Sequence, residues 1–262
     1  MSLTGKSPSD TYKDLLKVNN NNSGIDSTAR TIESGDGSDT AMLLSDRSLT
    51  IRSKTDNTGA LKVANSSGTT KLSVDTTNNQ VKALGHHVNT QYADFGISSG
   101  FAANYLANTH YALCFSGNNP SFANTEDLTF GTDPDPATTF TTADGASTDA
   151  ALLVPFLWYV PDAISIDGVY AIEGANAATG DTTRMHLMSY TFTSGSTSAL
   201  TSGTLLAHNS DVTNAGSEQA YLSTFTIDSA SVVAGKVILA FFESDSINSD
   251  YSVNIRIKYH LT

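Results

Sequence analysis

The aromatic residues of this chain are placed so unevenly that they divide it in two. Tyr12 is the only one before residue 91, and the other 21 of 22 lie beyond it. Aromatic side chains supply the largest buried areas of a globular core. A segment of about 80 residues without them cannot, alone, bury enough surface to offset its own ordering entropy. The charge shifts in the same region. Residues 1–82 carry ten Lys and Arg against nine Asp and Glu, and the remainder carries four against seventeen. A length of 262 residues allows one large domain or two smaller ones, and the composition places a division near Gly85.

The aromatic-poor third still has a pattern. Short aliphatic strands recur as "LLKV", "AMLLS", "SLTI", "ALKVA", "KLSV" and "QVKAL", with turn signals such as "NNNNSG", "SGDGSD", "NSSGTT" and "DTTNN" between them. The run Asn19 to Asn22 reads as one such turn. From residue 40 onward the strand starts recur roughly every ten residues. Each strand offers two or three aliphatic residues on one face: Leu61 and Val63, Leu72 and Val74, Val81. A face that small is completed by stacking on copies from other chains, so the sequence points to a homo-oligomer. The competing expectation is a flexible, weakly β-prone linker.

Over residues 8–85, the segments "TYKDLLKVNNNNSGIDSTARTIESGDGSDTAMLLSDRSLTI" and "ALKVANSSGTTKLSVDTTNNQVKALG" resemble the stalk and shaft of tailed-bacteriophage fibre proteins. The resemblance implies a homotrimeric virion fibre or spike. In that arrangement residues 1–39 dock on the particle through Tyr12, Leu15, Leu16 and Val18. Residues 40–85 form an intertwined β shaft with Leu61, Val63, Leu72, Val74 and Val81 at its centre.

Residues 86–150 read as a connector. It holds "HYALCF", which alternates, and a long Pro, Asp and Thr loop. Residues 151–262 read as a β-sandwich tip. "LLVPFLWYV" and "VILAFF" are continuous apolar runs of strand length that suit strands buried on both faces. "YSVNIRIKYHL" alternates: Val253, Ile255, Ile257, Tyr259 and Leu261 point one way and Ser252, Asn254, Arg256, Lys258 and His260 the other. Some seven strands at this spacing suggest a jelly roll or a related sandwich. The late stretch "STFTIDSASVVAGKVILAFFESD" resembles the last strands of jelly-roll tip domains in viral fibres. The fold expected is therefore all-β throughout.

Composition narrows the chemistry. Apolar residues make up 39% and charged residues 15%, the profile of an all-β extracellular or virion protein. A net charge of −12 argues against nucleic acid, because phosphate contacts need clustered Lys and Arg. The single cysteine, Cys114, excludes an intrachain disulfide framework and sits in apolar surroundings as an inert thiol. No signal peptide and no membrane span is legible, which fits a particle protein made in the host cytoplasm and released by lysis. Nucleophile-elbow, zinc-protease, paired-cysteine and nucleotide-binding motifs are all missing. Neither an enzyme nor a cofactor is expected.

Four weaker features remain. The acidic turn Glu33, Asp36, Asp39 lacks the residue order of a calcium loop and reads as a solvated turn. Asp133 and Asp135, with Asp144, could chelate a cation, against a plain extended loop set by two prolines. His86 and His87 could place one imidazole per chain on a threefold axis to hold a metal, although adjacent side chains on a strand diverge. Tyr170, Tyr190, Tyr221 and Tyr251 are candidates for stacking on a glycan receptor, whereas Trp158 and Tyr159 lie in the most apolar strand and fit the core. The sequence thus leads to a trimeric tail fibre or spike attaching to a host-surface glycan or protein. A head fibre or capsid decoration protein is the first alternative and a secreted carbohydrate-binding module the second.

Overall fold

The computed structural model describes residues 13, 15–21, 23–97, 106–115, 130–132, 134–136, 138–139, 153–176, 178–195, 200–246 and 250–262. Their regular structure is β, in two compact units, Met1–Val88 and Asn89–Thr262.

The first unit contains two four-stranded antiparallel sheets. One follows chain order: β1 (Leu16–Val18), β2 (Arg30–Ser34), β3 (Asp39–Leu44) and β4 (Leu49–Ile51). The other comprises β5 (Leu61–Ala64), β6 (Thr70–Asp75), β7 (Gln80–Ala83) and β8 (His86–His87), also in chain order. The strands start near the ten-residue rhythm of the sequence because each hairpin is closed by the turn its residues specify. Between β2 and β3, the Asp36 carboxylate accepts from the Ser38 amide and the Ser34 hydroxyl. Between β5 and β6, Asn65 Oδ1 accepts from the Thr69 amide at 2.8 Å. Between β7 and β8 only Leu84 and Gly85 intervene, with φ of 52° and 85°. That is the positive-φ pair that a two-residue hairpin demands. The Asn run lies between β1 and β2, where Asn20 Nδ2 donates to the Gly24 carbonyl at 2.7 Å; Asn22 falls outside the described residues.

Two boundaries drawn from sequence differ from the structure. The break between residues 39 and 40 falls within β3, whose partners on its two sides are β2 and β4. The break after residue 85 divides the β7–β8 hairpin. Local pattern marks strands, but only cross-strand pairing shows which of them share a sheet.

The second unit is a two-sheet sandwich. Its strands are β9 (Thr90–Ile97), β10 (Tyr111–Ala112), β11 (Cys114–Phe115), β12 (Trp158–Tyr159), β13 (Ile164–Asn176), β14 (Thr182–Thr191), β15 (Thr201–His208), β16 (Val212–Thr213), β17 (Gln219–Thr224), β18 (Thr226–Ile227), β19 (Ser231–Val232), β20 (Lys236–Ser244) and β21 (Asp250–Leu261). One sheet has the order β11-β9-β21-β13-β17, with β19 on β13. The other has β10-β20-β14-β15-β18, with β12 on β20 and β16 on β14. The segment read as a connector thus contributes β9, β10 and β11 to both sheets.

Between the sheets lies the main core. Phe95, Val169, Ala171, Val253, Ile255 and Ile257 meet Met185, Leu187, Ile238, Ala240 and Phe242 there. A second core lies on the far side of β14 and β20, where Met188, Tyr190, Val237, Leu239 and Phe241 pack with Phe130, Leu153 and Phe156. Alternate residues of "VILAFF" therefore enter different cores, which is why that run of β20 contains no polar residue. "LLVPFLWYV" is not one strand. Pro155 lies within a single 3-10 turn, Val154–Phe156, and the strand that pairs with β20 is the short Trp158–Tyr159. In β13 the inward residues switch from Ile164 and Ile166 to Val169 and Ala171. A bulge between Ile166 and Gly168 absorbs the change of parity.

Candidate functional site

The sheet β5–β8 is the most sharply two-faced element of the first unit. Leu61, Val74 and Val81 stand in one cross-strand row, and Val63, Leu72 and Ala83 in the next. Directly opposed residues share a face, so the five aliphatics singled out from sequence all lie on one side. The reverse side carries the row Lys62, Ser73, Lys82 and His87. In the sheet β1–β4, Val18 pairs with Ile32, Leu44 with Leu49, and Met42 with Ile51. None of these apolar residues has a core to enter. Among the described residues of Met1–Val88 no apolar side chain is buried, and the two buried side chains, Glu33 and Ser45, are polar. Val63 remains 50% exposed and Leu16 60%.

The docking candidates are placed in part. Leu15 is exposed, Leu16 and Val18 belong to the edge strand β1, and Tyr12 lies outside the described residues. Lys17 pairs with Glu33 at 3.0 Å across β1 and β2, so Glu33 of the acidic turn is held by a cation within its own sheet. The Ser34 hydroxyl on the Asp36 carboxylate, with the Ser38 amide, holds that acid below the usual carboxylate range. Glu33 is thus buried and ion-paired, while Asp36 is exposed and bound within its own hairpin turn. His86 is exposed and His87 half-buried, both on β8.

Of the four receptor candidates, two face inward. Tyr190 is fully buried and packs on Phe241. Tyr251 is buried beside Phe242, and its hydroxyl lies 3.0 Å from Ser244 Oγ. Neither leaves a ring face for a sugar. The Tyr221 hydroxyl is engaged by Gln219 and by the Ala215 amide. Tyr170 is 41% exposed on β13. Trp158 is buried and stacks on Phe115 at 5.7 Å, whereas Tyr159 points outward and is 56% exposed.

Asp133 and Asp144 lie outside the described residues. Asp135 is engaged with a histidine: its Oδ1 sits 3.2 Å from Nε2 of the buried His186. Around that contact the fold assembles a polar cluster that no sequence motif marks. The His186 ring lies 5.0 Å from His110 and 6.4 Å from His208. His110 Nε2 approaches Glu243 at 3.6 Å, Arg184 holds Asp211 through two bonds and Glu243 through a third, and His208 meets Asp228 at 2.7 Å. A second buried acid, Glu173, is inward-facing on β13 and accepts the Thr183 hydroxyl at 2.7 and 2.9 Å. Burial pushes its carboxyl pKa up.

Burial, reinforced by His110 and Arg184, lowers the His186 pKa to about 3. The unfolded chain protonates this imidazole near pH 6.5 and the folded chain resists until about 3. Its contribution to stability is therefore complete above pH 6.5 and declines as the pH falls through that value. Glu173 and Glu243, whose pKa values are raised by burial, act in the opposite sense. A comparison with His186→Gln isolates the histidine. Between pH 7 and 5 the wild type should lose about 2 kcal/mol more than the variant in denaturant melts. Equal losses would contradict the buried neutral imidazole.

The chain matches no known protein family, and no curated protein matches it.

Proposed function

We propose that the chain is a non-enzymatic structural protein of a phage virion, a homotrimeric tail fibre or spike that mediates attachment to the host surface. The observation that carries this reading is the coreless first unit. Its strands are regular and turn-closed, its sheets are apolar on one side, and its described residues bury no apolar side chain. Sheets that bury no apolar side chain cannot offset their own ordering entropy in water. Copies of the same chain supply the missing cover, with Leu61, Val63, Leu72, Val74 and Val81 facing one another in an intertwined shaft. The opening residues then meet another virion protein.

The second unit supports the same reading as a jelly-roll tip. With β9, β10, β13, β14, β15, β17, β20 and β21 numbered one to eight, its sheets read 1-8-3-6 and 2-7-4-5, the order of two interleaved Greek keys. Three tips per fibre turn weak contacts with a cell-surface glycan or protein into avidity.

Gold-labelled antibody against this chain, applied to particles of the phage that encodes it, tests the assignment. Label at the tail is expected. Label on capsid faces would replace it with a head fibre or decoration protein, and unlabelled particles would remove it from the virion.

A further inference from the structure

The two sheets of the second unit are not covered alike. The far side of the β10-β20-β14-β15-β18 sheet lies under the second core, supplied by its own chain. The outward side of the β11-β9-β21-β13-β17 sheet has no such layer among the described residues, yet it carries large exposed apolar residues on β13 and β17, and one more across the polar central strand β21. Leu222 is 75% exposed, Tyr92 59%, Ile172 57% and Tyr170 41%. The register gathers Tyr170, Ile172 and Leu222 on neighbouring strands β13 and β17, with Tyr92 beyond β21. Ile172 stands opposite Leu222 on one side and Asn254 on the other, and Tyr170 stands opposite Thr224 and Arg256. Lys258 stands opposite Tyr92. Scattered exposed apolar residues are ordinary, but large ones clustered on one sheet face mark an interaction surface.

We propose that this face is where copies of the chain meet in the second unit, an inference that rests on the homo-oligomer reading above. Charge argues for a second copy as the occupant. Residues 89–262 contain four Lys and Arg against seventeen Asp and Glu, so most surfaces of two copies repel. Two of those four cations, Arg256 and Lys258, lie on this face, and Arg256 Nε donates to Asp94 at 2.8 Å. The face thus combines the exposed apolar cluster with half of the unit's cations, and identical acidic units can approach there with the least repulsion.

Covalent connection argues the same way. Asn89 alone separates Val88 from β9, the second strand of this sheet. Copies joined through the first unit hold their second units at about millimolar effective concentration, where a small apolar face suffices. Tyr170 then belongs to the contact between copies, and receptor recognition is left to other surfaces of the tip.

Cysteine protection in the full chain tests this. The native thiol is silent, because Cys114 is 5% exposed and burial pushes its pKa up to about 11. Leu222→Cys should react with iodoacetamide about tenfold more slowly than Val233→Cys, which lies at a 63% exposed position before β20, in an assembly of trimer mass. Ile172→Cys repeats the test at a second position. Equal rates in a trimer would overturn this interface while leaving the homotrimer intact. A monomeric mass would overturn the homotrimer and this interface with it.

Discussion

A chain carrying Leu72→Asp and Val74→Asp is expected to lose its self-association, with its mass in solution falling to that of a single chain, 27.6 kDa. Both residues lie on β6, an inner strand of its sheet. Val74 stands between Leu61 and Val81, and Leu72 between Val63 and Ala83. In a trimer the change removes six aliphatic side chains from the shared core, each contributing about 1.5–3 kcal/mol when fully buried. It also inserts six carboxylates into that aliphatic surface, which is far more costly than the lost contacts. The second unit keeps its own two cores, so the fluorescence of Trp158 should report that unit as folded in the dissociated chain. A double variant that keeps the mass of the wild type would contradict the aliphatic face as the assembly surface.

Phe241→Ala should destabilise the second unit by about 3–5 kcal/mol, read as a lowered denaturant midpoint. Phe241 is fully buried on β20. It meets Phe130 edge-on at 4.5 Å and Tyr190 at 6.4 Å. It faces the second core, so the cavity opens between the sheet and the covering layer that includes Phe130, Leu153 and Phe156. The sandwich core between the sheets is untouched. The assembly should therefore persist at room temperature while its tip melts earlier. A loss below about 1 kcal/mol would show that the layer collapses onto the gap and is not a packed core.

These two predictions draw on parts of the chain that were legible to different degrees. The strands between residues 40 and 85 could be read directly. Aliphatic residues alternate there, and each hairpin is closed by a local turn such as Asn65–Gly68, so neighbours in sequence are neighbours in space. The sheet that unites β1 and β2 with β3 and β4 was hidden, since the residue patterns before and after residue 40 differ while their hydrogen bonding is continuous.

In the second unit the continuous run at β20 announced burial on both faces. Which segment supplied the second layer could not be read, because Phe130 and Phe156 reach it from loops far away in sequence. Tyr190 and Tyr251 looked like candidate surface tyrosines because alternation fixes two faces without saying which one is wet. Glu173 was missed for the converse reason: the bulge in β13 reverses parity and turns an acid inward. The cluster of His110, His186 and His208 draws on three separate segments, and it has no spacing that a linear motif could carry.

The described residues of the first unit bury no apolar side chain, and in the proposed trimer other copies of the chain cover them. Light scattering on the full chain after gel filtration tests this most directly. A mass of about 83 kDa, three times the 27.6 kDa of one chain, is expected. A stable, folded monomer of 27.6 kDa would contradict it.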